Sequence, residues 1–346
     1  MLFYISSGLF LGWSLGANDA ANLFGTAVGA RMVKFSTAAI VASLFVIIGA
    51  VVSGSGASET LNELGEITTM AGAFIVALAA AFTVFWMTKL GLPVSTSQAI
   101  VGGIIGWNIF AGLQTNPQVV TKIVGTWVLC PLLSAFFSII YYMVVIRIIG
   151  NSKIHLLKLD SYTRFGLIIA GAFGAYSLGA NNIANVMGVF TQLSPFQMFN
   201  AGGLFTLNST QQLFLWGGIA IAAGIFTYSK KVMMTVGKSI FKISPVGALI
   251  AILSSSTVLF LFASVSLKTW LVAHNLPSFP LVPVSSSQAL VGAVLGLGLA
   301  KGGRNINFKN VGNIALGWVI TPVTAALFSY IALFFMQNVF LQTVVG

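Results

Sequence analysis

The chain has 346 residues, of which 57% are hydrophobic and 6% charged, with a mean hydropathy of +0.99. So few charges cannot cover the surface of a water-soluble domain, and lipid is the solvent this composition requires. The formal charge of +11 does not indicate nucleic acid, because the sixteen Lys and Arg are spread through short loops rather than gathered beside stacking aromatics.

The first apolar run starts at Met1-Leu2-Phe3-Tyr4 with neither a basic leader nor a cleavage site, so no removable signal is expected. It carries Gly16-Ala17-Asn18-Asp19, where glycine and asparagine compete with the helical ladder and predict an unwound point within the span. Asp19 is the only acid placed inside an apolar segment; Glu59, Glu63, Glu66 and Asp160 are expected in loops. A carboxylate at membrane depth requires a cation or a hydrogen-bonding partner.

Apolar stretches of membrane-crossing character follow at Thr37 to Val52 and Ala71 to Met87. They are continuous rather than alternating, which predicts helices and not barrel strands. Next comes Pro93-Val94-Ser95-Thr96-Ser97-Gln98, where proline followed by hydroxyl residues predicts the opening of a helix. Free N–H groups and the positive dipole end at such an opening suit an anion. Gly102, Gly103 and Gly106 then permit close helix approach. Before the next run, Leu132 to Ile149, lies Cys130, whose solitary thiol builds neither a disulfide framework nor a thiolate metal site within the chain. His155, in a basic linker, and His274, near Pro277, read as solvated residues without chemistry.

From here the chain repeats itself. Ser177-Leu178-Gly179-Ala180-Asn181-Asn182-Ile183-Ala184-Asn185-Val186-Met187-Gly188 matches Ser14 to Gly25 at eight of twelve positions, 163 residues apart. Apolar runs around Ile219 to Thr227 and Pro245 to Leu267 lead to Pro283-Val284-Ser285-Ser286-Ser287-Gln288, the counterpart of the serine motif 190 residues earlier. Gly292 and Gly296 repeat the glycines that follow it, and Trp318-Val319 before Pro322 repeats Trp127-Val128 before Pro131 at a separation of 191. One such motif alone would suit an ordinary helix contact, but four in matched pairs indicate duplication with a shared polar centre.

Charge then orients the halves, since Lys and Arg in short loops favour the cytoplasmic side. Arg31 and Lys34 follow the first helix, whereas the equivalent Thr191 to Gln212 is uncharged. After the next helix the contrast reverses: Glu59, Glu63 and Glu66 in the first half face Lys230, Lys231, Lys238 and Lys242 in the second. Gln114 to Gln118 is uncharged where its counterpart has Lys301, Arg304 and Lys309, and Arg147, Lys153, Lys158 and Arg164 flank the centre. Thirteen of the sixteen bases then lie inside, with both termini outside. The expectation is an all-α polytopic membrane protein of two inverted-topology repeats, residues 1–150 and 164–346 joined by a basic cytoplasmic linker, 151–163. Broken helices, re-entrant hairpins and about 10–12 membrane segments complete that expectation.

Asn amide oxygens, opened backbone carbonyls and one carboxylate form the hard-oxygen setting of a small cation, with Asp19 the leading ligand. No Ser-His or paired-Asp arrangement is visible within the membrane, so no catalytic residue is assigned and the chain is expected not to be an enzyme. A passive anion channel would use similar hydroxyls and helix dipoles and differs in lacking coupling.

The paired signatures GANDAAN with GANNIAN and PVSTSQ with PVSSSQ resemble the inorganic phosphate transporter family of sodium- or proton-coupled symporters, across both halves. The resemblance implies phosphate import by alternating access, with sodium, or a proton, as the coupling ion and no other cofactor. It implies phosphate binding by Ser95, Thr96, Ser97, Gln98, Ser285, Ser286, Ser287 and Gln288 at hairpin tips, with Asn22 and Asn185, and sodium binding by Asp19, Asn18, Asn181 and Asn182. A homodimer in the cell (inner) membrane is implied as well. Asn182 stands where many members have a second aspartate, and the helix from Thr37 to Val52 lacks a glutamate found in many relatives. A related branch moves sulfate, the runner-up substrate. Phosphate near neutral pH carries a proton to donate to a buried carboxylate, and sulfate has none.

Overall fold

A computed structural model describes residues 2–89, 94–152, 154–200, 202, 206–235, 243–303 and 308–346. Pro93, Lys153, Lys238, Lys242 and Arg304 lie outside them, as does the side chain of Lys309. Among the described residues the fold is all-α apart from a two-residue antiparallel pair, β1 (Phe199–Asn200) with β2 (Thr206–Leu207). The first half holds α1 (Leu2–Gly29), α2 (Phe35–Ser53), α3 (Ser55–Leu64), α4 (Met70–Lys89), α5 (Thr96–Ala111) and α6 (Pro117–Asn151). The second holds α7 (Leu156–Met187), the 3-10 turn Gly188–Phe190, α8 (Ser209–Thr227), α9 (Ser229–Thr235), α10 (Pro245–Leu261), α11 (Val265–Ala273), α12 (Ser286–Ala300) and α13 (Phe308–Asn338).

Six of these helices are long and apolar enough to cross a membrane, and α10 with α11, bent by 68°, gives a seventh, broken span. The chain is an integral membrane protein. Large apolar side chains turn outward along α6 and α13, as at Leu132, Phe136, Val323 and Leu327, where lipid replaces water as the partner. By contrast α5 and α12 reach about 24 Å or less at 1.5 Å per residue, too short to span. Their first residues are buried, so both helices start inside the protein and run outward.

The two halves cross over rather than stack. A Cβ on Gly16 of α1 would stand 1.9 Å from the Ile221 carbonyl oxygen of α8, and one on Gly179 of α7 would stand 2.1 Å from that of Val46 in α2. Gly102 in α5 meets the Pro322 carbonyl of α13 at 2.1 Å, and Gly292 in α12 meets the Pro131 carbonyl of α6 at 2.2 Å. Each contact has a partner at the repeat's own spacing, and in each the helices belong to different halves. Backbone touches backbone because lipid offers helices no hydrophobic reason to associate, and close approach is what holds them.

Two expectations change. The Gly-Ala-Asn-Asp and Gly-Ala-Asn-Asn segments are not unwound: α1 and α7 run through them without a break. Their glycines serve helix contact, and the breaks fall instead between α2 and α3 and between α10 and α11. Glu59 and Glu63 lie on helix α3 and Asp160 on the opening turns of α7, all outward-facing, rather than in loops.

Contacts also separate the two ends of the bundle. Arg164 Nη1 donates to the Met32 carbonyl at 3.3 Å, and Lys230 Nζ lies 5.7 Å from the Phe35 ring centroid, so the loop after α1, the start of α7 and α9 share a basic end. At the far end of α2, Lys122 Nζ is 4.0 Å from Glu63, and Asn62 bonds Thr191 at 3.2 Å beyond α7. This acidic end carries α3.

Candidate functional site

At the centre, the starts of α5 and α12 lie against the polar turns of α7 and α1. Ser95 and Ser285 cap the two helices, each accepting the N–H three residues on at 3.3 Å. This hydroxyl capping satisfies one amide and leaves the neighbouring N–H groups, with the positive helix end, at the tip. The tips bind one another reciprocally: Ser97 Oγ donates to the Val284 carbonyl at 3.1 Å, and Ser287 Oγ to the Val94 carbonyl at 3.3 Å.

Each tip also holds a helix. Ser286 Oγ donates to Asp19 Oδ2 at 2.7 Å while accepting from Asn22 Nδ2 at 3.1 Å. On the opposite side, Asn185 Nδ2 donates to Ser97 Oγ at 2.8 Å and to Asn182 Oδ1 at 2.9 Å, and Asn182 Oδ1, 3.3 Å from Ser97 Oγ, is the alternative acceptor for the Ser97 hydroxyl proton. Asn18 Nδ2 donates to Asp19 Oδ1 at 2.9 Å. Thus each oxygen of the buried Asp19 accepts one hydrogen bond and keeps a further lone pair for a cation or a ligand hydroxyl.

All fourteen residues singled out from sequence belong to this assembly except in one respect: Asn181 turns away from the tips' hydroxyls. Its Oδ1 accepts from Val284 N at 2.8 Å and its Nδ2 donates to the Val282 carbonyl at 3.2 Å, clamping the extended run that leads into α12. The carbonyls of Val94, Val282 and Val284 could not be found in sequence, since nothing about a valine side chain marks its backbone as an acceptor. The site also retains buried polar atoms without a protein partner among the described residues: Thr96 Oγ1, Gln98 Oε1, Gln288 Oε1, Asn182 Nδ2 and Asn185 Oδ1. Such atoms are costly in an interior, and these five line the tips and the facing turn of α7, where they are free to meet a ligand. Among the described residues there is no cluster of three or more His, Cys, Asp or Glu able to hold a metal ion, so any cation here relies on Asp19 with neutral oxygens.

A lipid-embedded bundle of two like halves, closed around polar helix starts at its centre, is the build of a membrane transport protein. Residues 15–329 match the phosphate transporter family, and the chain belongs to it. A protein of Pyrococcus furiosus provisionally named a phosphate permease is 27% identical over 94% of each chain. The sulfate permease CysP of Bacillus subtilis is 30% identical over 93% of this chain and 84% of its own length. Among solved structures, one titled "The sodium-dependent phosphate transporter" has the same fold, with a TM-score of 0.80, 24% identity and coverage of 97% of this chain and 98% of that one.

Proposed function

We propose that this protein imports inorganic phosphate together with sodium, exposing one central site alternately to the two sides of the membrane. The observation that carries the reading is the reciprocal bonding of the Ser97 and Ser287 tips directly beside Asp19. Two helix N-termini meeting at one point supply convergent N–H donors and positive dipole ends for an oxyanion, and Ser95 to Gln98 with Ser285 to Gln288 supply side-chain groups. No lysine or arginine is needed. Asp19, with Asn18 beside it, supplies the charge and oxygens that a sodium ion prefers, and Asn182 and Asn22 border the same space. A bound cation next to a bound anion lowers the cost of holding either in the membrane, which is the physical basis of obligatory coupling.

The sequence halves 1–150 and 164–346 would then be inverted repeats that rock about the crossing contacts described above. A homodimer in the cell membrane is part of this proposal. Sulfate is the second reading, favoured by the Bacillus relative's name and by the amide of Asn182, whose unpartnered Nδ2 is a donor where a second carboxylate would be an acceptor. The deciding experiment is uptake of labelled phosphate and labelled sulfate into liposomes containing the purified protein. Phosphate entry driven by an inward sodium gradient, and lost in Asp19→Asn, is the expected result. Uptake without any gradient would indicate a channel, drive by protons alone would reassign the coupling ion, and preference for sulfate would reverse the substrate order.

A further inference from the structure

The repeats match in sequence and contact but differ in exposure. On α1 the residues Asn18, Asn22 and Thr26 form a stripe four residues apart, and all are half-buried, leading from the tips toward the basic end. Their counterparts on α7 are Asn181, Asn185 and Val189, in and just beyond the helix, at 0%, 0% and 5% exposure, leading toward the acidic end. A duplicated structure with one stripe half-exposed and the other buried is asymmetric, and exchanging the two conformations would expose the opposite side.

Packed over the buried stripe is α3. Thr60 on α3, 3% exposed, donates its hydroxyl to the Leu281 carbonyl at 2.7 Å and receives Lys122 Nζ from α6 at 3.4 Å. Asn62, two residues on, bonds Thr191 at 3.2 Å just past the end of α7. Leu281 adjoins Val282, the first residue gripped by Asn181, in the run that ends at the Ser285 cap of α12. One buried hydroxyl therefore ties α3 to the same short run whose far end forms a tip of the central site.

We infer that α3 is the gate at the acidic end of the pathway, latched by the Thr60 hydroxyl on the Leu281 carbonyl, while the route toward the basic end stands open. Displacement of the Ser285 tip by a bound ligand pulls on the run that carries Leu281, which links occupancy of the site to release of the latch. Thr60 is a positioning residue: it touches the Leu281 run and not the transported ions. The inference rests on the transport reading but not on which anion is carried.

Cysteine labelling with a membrane-impermeant thiol reagent tests it in vesicles of both orientations, read against the parent chain, whose sole cysteine, Cys130, is buried. Thr26→Cys should react from the basic side, and Val189→Cys should resist labelling from either side. Adding Thr60→Val should raise Val189→Cys labelling from the acidic side by about fivefold to tenfold, the worth of one buried hydrogen bond, whereas Thr60→Ser should leave it unchanged. The gate is refuted where Val189→Cys already labels as fast as Thr26→Cys, or where Thr60→Val and Thr60→Ser label alike. Labelling requires no flux, so a protein that carries no phosphate yet shows this pattern loses the substrate reading and keeps the gate.

Discussion

Replacing Gly179 by alanine tests the crossed packing that brings the polar turns to the tips. The added Cβ would lie 2.1 Å from the Val46 carbonyl oxygen and 2.9 Å from its carbon, and both belong to backbone that no rotamer change can move. Overpacking of this kind costs about 1–3 kcal/mol, at the upper end here because α7 and α2 must separate as rigid bodies. Alanine in a helix recovers about 1 kcal/mol relative to glycine, leaving a net loss of roughly 2 kcal/mol. Gly125 in α6 is the internal control, since nothing lies within 4 Å of its Cβ position. There the same change keeps only the propensity gain, so the two variants should differ by about 3 kcal/mol, over a hundredfold in the folding equilibrium. Thermal unfolding followed by size-exclusion in detergent measures the difference. The repeat adds a stricter demand: Gly16→Ala, at 1.9 Å from the Ile221 carbonyl, should lose as much as Gly179→Ala. A melting point for Gly179→Ala equal to that of Gly125→Ala, or a loss at Gly16 alone, would refute the crossed arrangement.

Other variants probe the centre and the acidic end. Ser97→Ala removes the donor to Val284 and the acceptor for Asn185, and should lower uptake at least tenfold while Ser97→Thr retains part of it, as measured in liposomes. Ser287→Ala breaks the reciprocal bond to Val94 and should fall in the same direction, a match that independent tips would not produce. Asn108→Leu strips the buried amide that donates to the Leu64 carbonyl and to Thr115, both at 2.9 Å, and should cost about 1–3 kcal/mol in thermal stability without altering ion preference. Glu63→Gln weakens only a half-exposed pair with Lys122 and should leave stability within about 1 kcal/mol of the parent.

Much of the candidate site is legible in sequence because membrane depth makes polar side chains rare. Asp19, the asparagines and the serine motifs stand out against apolar sequence, and their duplication separates them from incidental helix contacts. Composition does not give backbone conformation. Gly16 and Asn18 weaken a helix in isolation, yet α1 stays continuous because its glycine packs on α8 and its amide bonds Asp19. The resemblance implies Asn181 beside the cation, and its side chain bonds the backbone of Val282 and Val284.

Sequence by itself determined the solvent, the helical class, the duplication and the polar residues worth examining, since hydropathy and repeat spacing are properties of order along the chain. Only the tertiary structure decided that each half completes the other's packing, that the two tips bond across the centre, and that the α7 stripe is buried while the α1 stripe is half-buried. Those facts depend on which backbone carbonyls meet which side chains across separations of a hundred residues or more, and a carbonyl carries no mark of its partner in the residue that bears it.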